Sequence, residues 1–207
     1  MAKTNVYIDG FNLYYGAVRN TPYKWLDLAK LCQVMLPNDT IQKIHYFTAR
    51  VSARPHDPDA PTRQQIYLRA LRTIPHLHIT YGHFLTHSVR MVLTGITPLK
   101  KVFVDKTEEK GSDVNLATHL LREAFRKEFE LAVLITNDSD LVEPIKVVRN
   151  ELSLPVGILN PHQGRHSRQL QLMATFIKRI RQSDLVAAQF PPVLMDLKGQ
   201  IHKPSTW

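Results

Sequence analysis

Cysteine is almost absent from this chain of 207 residues. The single one, Cys32, excludes an internal disulfide framework and any cysteine-based zinc cluster. It falls in an apolar helical pattern and reads as a small core residue. Long hydrophobic runs are missing as well, none approaching the ~18 residues a membrane crossing needs. The first five residues lead straight into a strand-like segment without a signal-like apolar region, so a cytoplasmic protein with no membrane partner is expected. Neither a P-loop nor a GxGxxG turn occurs, which argues against a nucleotide cofactor. The ten histidines contain no HExxH pair, and no nucleophile elbow marks a catalytic serine. Acids are the minority charge, 18 against 27 lysines and arginines, for a net charge of +9 and a pI near 9.7. That balance favours an anionic partner, nucleic acid first.

What remains is a globular α/β pattern, with 43% hydrophobic residues. Strands are expected over 5–9, 41–49, 77–85, 131–136 and 154–159. Helices are expected over 13–18, 26–36, 62–74, 111–129, from about 143, and over 170–180. Strand and helix alternate, so a mostly parallel sheet with helices on both faces is the economical fold. One segment breaks the alternation: 89–93 and 101–104 flank a Gly-Ile-Thr-Pro turn and read as a hairpin inserted at about 87–106. We therefore divide the chain into a domain over 1–182 and a Pro-rich tail over 183–207. The tail can pack on its own domain or on a second subunit, which leaves homo-oligomerisation open.

The stretch Leu131-Ala-Val-Leu-Ile-Thr-Asn-Asp-Ser-Asp-Leu141 organises the rest. It reads as a short buried strand that breaks into an oxygen-rich turn and then a helix. In open α/β sheets ligands bind at the carboxyl edge of the strands, where this turn lies. Asp138 and Asp140 are then either helix caps or ligands. Pro144 weakens the capping alternative, since it lacks the N–H that a helix capped at Asp140 would use in its first turn. Asp9 closes the first strand and has a comparable structural use, capping the next helix together with Asn12. Asp113 follows Ser112, a natural N-cap, and heads the apolar stripe Ala117, Leu120 and Ala124. An aspartate at the top of a buried stripe points over the sheet edge and needs partners, a cation among them. Three segments deliver aspartates to one expected edge. Oxygen-only ligands select hard cations, so Mg²⁺ or Mn²⁺ is expected.

Three motifs carry a resemblance: Ile8-Asp9-Gly10-Phe11-Asn12-Leu13, Lys110-Gly111-Ser112-Asp113-Val114-Asn115-Leu116-Ala117, and Thr136-Asn137-Asp138-Ser139-Asp140-Leu141. In order, spacing and strand context they resemble the NYN domain, the LabA-like branch of the PIN-like superfamily of metal-dependent ribonucleases, across roughly residues 5–161. The resemblance implies a three-layer, Rossmann-like PIN fold with a sheet of order 3-2-1-4-5. It implies an acidic cluster at the strand ends holding one or two Mg²⁺ or Mn²⁺. Asp9, Asp113, Asp138 and Asp140 match its acidic positions, and Asn12 a polar position beside them. Many relatives carry a further acid where this chain has His119, about 120° around the helix from Asp113.

The function that follows is hydrolysis of RNA to 5′-phosphate and 3′-hydroxyl ends. Arg50, Arg54, Arg63, Lys106, Lys110, Arg165 and Arg168 are the candidates to track the RNA backbone, with ordinary solvated charge as their competing use. Phe11, Tyr14 and Tyr15 offer ring faces for base stacking, with core packing as the alternative. The competing functional reading is a non-catalytic RNA-binding or regulatory module on a nuclease-derived fold.

Overall fold

The structure is a computed structural model, and it describes residues 1–164 and 167–207. Six parallel strands form the central sheet: β1 (Lys3–Asp9), β2 (Thr40–Thr48), β3 (Leu77–Tyr81), β6 (Leu131–Ile135), β7 (Val156–Asn160) and β8 (Phe176–Arg179). Between β3 and β6 lie β4 (His83–Val92) and β5 (Lys101–Lys110), an antiparallel ribbon outside that sheet. The spatial order is β3-β2-β1-β6-β7-β8. Counting only the sheet's own strands, this is the expected 3-2-1-4-5 with a sixth strand added beyond β7.

Alternation along the central strands builds two cores. Val6 and Ile8 of β1 and Leu131, Val133 and Ile135 of β6 face one side. Tyr7, Ala132 and Leu134 face the other. Both sides are covered, so these strands are apolar throughout rather than alternating in polarity. Helices α1 (Gly10–Leu13), α2 (Leu28–Met35) and α3 (Ala60–Leu71) supply the first face. The second is supplied by α4 (Ser112–Phe125), α5 (Val142–Lys146) and α6 (Arg168–Met173).

Three expectations need correction. The segment 170–180 is not one helix: α6 ends at Met173 and the chain turns into β8. Its apolar residues fit a helical period, but Phe176 packs into one core and Ile177 into the other, the period-2 alternation of a strand. The inserted hairpin is longer than 87–106. It starts at His83, just after β3, so 77–85 is two strands, and it runs on to Lys110. Finally, Ser112 is not the cap of α4. Gly111 holds that position with φ +95°, a left-handed conformation that favours glycine, and Ser112 is buried as the first helical residue.

The segment after β8 folds back on the domain. Helix α7 (Gln182–Ala187) and the hairpin of β9 (Val193–Asp196) and β10 (Gly199–His202) add Leu185, Phe190 and Ile201 to the first core. Trp25 donates to the Pro191 carbonyl (2.8 Å), and the Trp207 ring sits against Trp25 and Tyr67. Arg69 grips the Asp196 carboxylate with two nitrogens. No helix among the described residues is long and apolar enough to cross a membrane.

Candidate metal centre

The first three strands step outward from β1, and the chain then returns to place β6 on the other side of β1. Ile8 is in register with Ile135, so the residues that follow them, Asp9 and Thr136, emerge side by side. This reversal of strand order makes the crevice in which α/β sheets bind ligands.

Local bonding fixes each acid. Asp9 caps α1, its Oδ1 accepting from the Asn12 backbone N–H (2.9 Å). Asp138 caps the 3₁₀ turn Ser139–Leu141, accepting from the Asp140 N–H (3.0 Å), while its own N–H donates to Thr136 Oγ1 (3.0 Å). The longer helix starts only at Val142, with Pro144 inside its first turn. Asp113 sits in the first turn of α4, which Glu109 anchors by accepting from the Ser112 N–H (3.2 Å) and hydroxyl (2.8 Å).

Each of Asp9, Asp113 and Asp138 offers a carboxylate oxygen within 4.8 Å of the others. Asp140 is exposed and lies outside that group, near enough to raise the pKa of Asp113. Asp9 is only 6% exposed. Burial first, then the charges of Asp113 and Asp138, push its carboxyl up to about 7 against the bonding of the Asn12 N–H. Asp113 is raised by burial and then by Asp138, Glu109 and Asp140. Carboxylates that resist ionising together are a donor set suited to a hard divalent cation.

Around the acids runs an amide network that sequence reasoning did not identify. Asn12 Oδ1 accepts from the Asn137 N–H (2.9 Å) and from His162 Nε2 (3.1 Å), tying α1 to the ends of β6 and β7. Asn137 Oδ1 accepts from Asn160 Nδ2 (3.0 Å) and the Ser167 N–H (2.8 Å). The His162 ring lies on Gly16, where a Cβ would stand 2.7 Å from it. Glu109 also belongs to the surroundings of Asp113. Two features offered a signal: Asn137 and Asn160 both follow or close apolar strands, and Gly16 interrupts a helical run.

The basic candidates divide. Arg63 is paired with Asp57, and Lys106 and Lys110 both pair with Glu108. Arg50 lies over the Tyr81 ring, and Arg54 and Arg168 are exposed. Arg165 lies outside the described residues. Tyr14 and Tyr15 are exposed, whereas Phe11 is half-buried against Phe84 and Tyr15. A cavity of about 480 Å³ opens beside the end of β1, bordered by Phe11, Tyr14, Tyr46, Tyr67, Trp207 and Arg63 among others.

Comparison with known proteins agrees with this architecture. The chain is 28% identical over 235 aligned residues, 99% of its length and 75% of the relative's, to 6-hydroxy-3-succinoylpyridine 3-monooxygenase HspA of Pseudomonas putida (strain DSM 28022 / S16). Its fold resembles the crystal structure of a protein of unknown function from Vibrio parahaemolyticus RIMD 2210633, with TM-score 0.58 and 14% identity, covering 91% of this chain and 96% of that one. The NYN domain matches residues 3–180. The chain belongs to the NYN domain family.

Proposed function

We propose that the protein is a divalent-metal-dependent endoribonuclease. One observation carries the reading: three segments distant in sequence bring Asp9, Asp113 and Asp138 within 4.8 Å of one another at the sheet's switch point. The family supports a nuclease-like function, and the net charge of +9 suits a polyanionic substrate.

Asp9, Asp113 and Asp138 would hold Mg²⁺ or Mn²⁺, with Asp140 at the rim. A bound ion of this kind supplies Lewis acidity at a phosphate and lowers the pKa of water. The chain's own part is positional. The Asn12 N–H fixes Asp9, the Asp140 N–H fixes Asp138, and the Asn12–Asn137–His162 bonds hold the loops that carry them. Among the described basic candidates, Arg63, Lys106 and Lys110 are paired with carboxylates, and Arg50, Arg54 and Arg168 would meet the phosphate backbone.

The test is cleavage of single-stranded and structured RNA with Mg²⁺ or Mn²⁺, followed by end-group analysis. The expected products carry 5′-phosphate and 3′-hydroxyl ends, and Asp9→Asn and Asp138→Asn abolish them. Unchanged cleavage in both variants assigns the activity elsewhere. RNA binding without cleavage by the wild type selects the binding-module reading.

The cavity favours a second reading. An aromatic-lined space of about 480 Å³ bordered by Gly10 and Phe11 has the size of a small-molecule site, and the similar protein from Pseudomonas putida is named for oxidation of a hydroxypyridine acid. A hydroxylated product formed from such a ring with O₂ and a two-electron reductant, and no cleavage of RNA, replaces the first reading with this one.

A further inference from the structure

A second polar cluster is buried on the α4 side of the sheet, away from the strand ends. His45 on β2 and Glu123 on α4 are 4% and 1% exposed. His119, one turn before Glu123, turns to the same place, its ring centroid 5.1 Å from that of His45. The cluster lies deeper along α4 than the acidic site: His119 is six residues beyond Asp113, about 9 Å along the helix, and Glu123 ten residues, about 15 Å.

The environment prepares Glu123 as an anion with donors at both oxygens. Its Oε2 accepts from Tyr7 Oη (2.7 Å) and Asn5 Nδ2 (2.9 Å). Oε1 pairs with His45 Nε2 at 2.9 Å. His45 Nδ1 has no hydrogen-bond partner among the described residues. A buried imidazole nitrogen left without a partner is costly unless something else meets it.

We propose that His45, His119 and Glu123 form a binding site for a transition-metal dication, zinc first. Each residue offers a ligating atom within 4.8 Å of the other two. Ligands at ~2.0–2.2 Å from a tetrahedral zinc stand roughly 3.4 Å apart, so a small side-chain closure completes the site. Two imidazoles and a carboxylate suit zinc rather than the Mg²⁺ or Mn²⁺ of an all-oxygen site. Tyr7 and Asn5 hold the carboxylate as partners of metal ligands commonly do. Water or the neighbouring His78, paired with His45 across the strands, is left for the fourth place.

Two cations compete with the metal. Arg122 Nη2 stands 3.5 Å from Glu123 Oε1 and 3.1 Å from His119 Nδ1, and Lys43 Nζ is 4.0 Å from the same oxygen. Both side chains reach solvent, and Lys43 keeps Glu128 as a partner if it moves. Metal binding displaces Arg122, so removing Arg122 strengthens it.

The test uses the full chain, stripped with a chelator and dialysed against Zn²⁺ with excess Mg²⁺ present, and metal content read by mass spectrometry. Cobalt substitution gives an independent visible spectrum. One Zn²⁺ per chain is expected. His119→Ala, with unchanged circular dichroism, weakens binding by more than the ~10- to 100-fold lost with a group that only orients a ligand. Arg122→Gln tightens binding roughly 2- to 5-fold. His119→Gln serves as the second variant if the alanine does not fold. No stoichiometric uptake overturns the proposal. So does uptake that survives both His119 variants but is lost in Asp9→Asn and Asp138→Asn, which assigns the ion to the acidic cluster. The proposal does not depend on nuclease activity.

Discussion

Asp9 and Glu123 are both carboxylates buried by the same sheet, yet they are held in opposite states. Asp9 has two aspartates for neighbours, and burial with their charge raises it to about 7. Burial also pushes Glu123 up, more completely in exposure, but His45, Tyr7 and Lys43 outweigh it and hold the carboxyl down at about 2. Depth alone therefore does not decide whether a buried acid is charged. The neighbours do: Asp9 faces further carboxylates, whereas Glu123 faces His45, Tyr7 and Lys43.

The largest way to break the comparison is Glu123→Ala. It strands His45, Tyr7, Asn5 and the nearby cations, and is expected to destabilise the fold by about 3–5 kcal/mol in urea unfolding. Asp9→Asn removes an unwelcome charge instead, and should leave ion-free stability unchanged or raised. Equal losses in the two variants would remove the distinction. Next comes function: Asp138→Asn should lower cleavage by on the order of 100-fold or more with little change in unfolding midpoint.

The pH dependence separates the two acids by sign. An acid raised in the fold binds more protons folded than unfolded, so stability falls as pH rises from about 4 to about 7 while Asp9 ionises. An acid lowered in the fold contributes above its ordinary value, and that contribution is lost as pH falls through about 2. The difference in stability between Asp9→Asn and wild type should accordingly widen from pH 4 to 7.5, measured without divalent ions. Asp113→Asn sharpens the point by a smaller effect, lowering the Asp9 midpoint without restoring the ordinary value, because burial is the larger cause. The smallest expected change is in Lys106→Ala. Its ammonium is paired with Glu108, so RNA affinity should shift by no more than about twofold.

These contrasts follow what the sequence made legible. Asp9, Asp113 and Asp138 stood out because each follows a strand or opens a helix, positions set by local pattern, and alternation implied a parallel sheet. The pairing of β1 with β6, which brings them together, is a long-range fact that spacing alone does not contain. Glu123 escaped notice because a glutamate on a helix reads as surface, and only the packing of α4 across β1 and β2 buries it against Tyr7 and His45. His162 escaped for a similar reason: its partner, Asn12, is 150 residues away. The 170–180 segment misled because Leu170, Ile177 and Ile180 satisfy a helical period while Thr175-Phe176-Ile177 satisfies a strand. Tertiary pairing with β7 decided between them.

The central claim is that the Asp9 cluster lacks positive charge and takes it from a hard divalent ion. Carboxyl ¹³C shifts of Asp9 and Glu123, followed against pH with and without Mg²⁺, test it most directly. The account predicts an Asp9 midpoint near 7 that falls when Mg²⁺ is added, with Glu123 staying near 2 in both series. An Asp9 midpoint in the ordinary carboxylate range and indifferent to Mg²⁺ would contradict it.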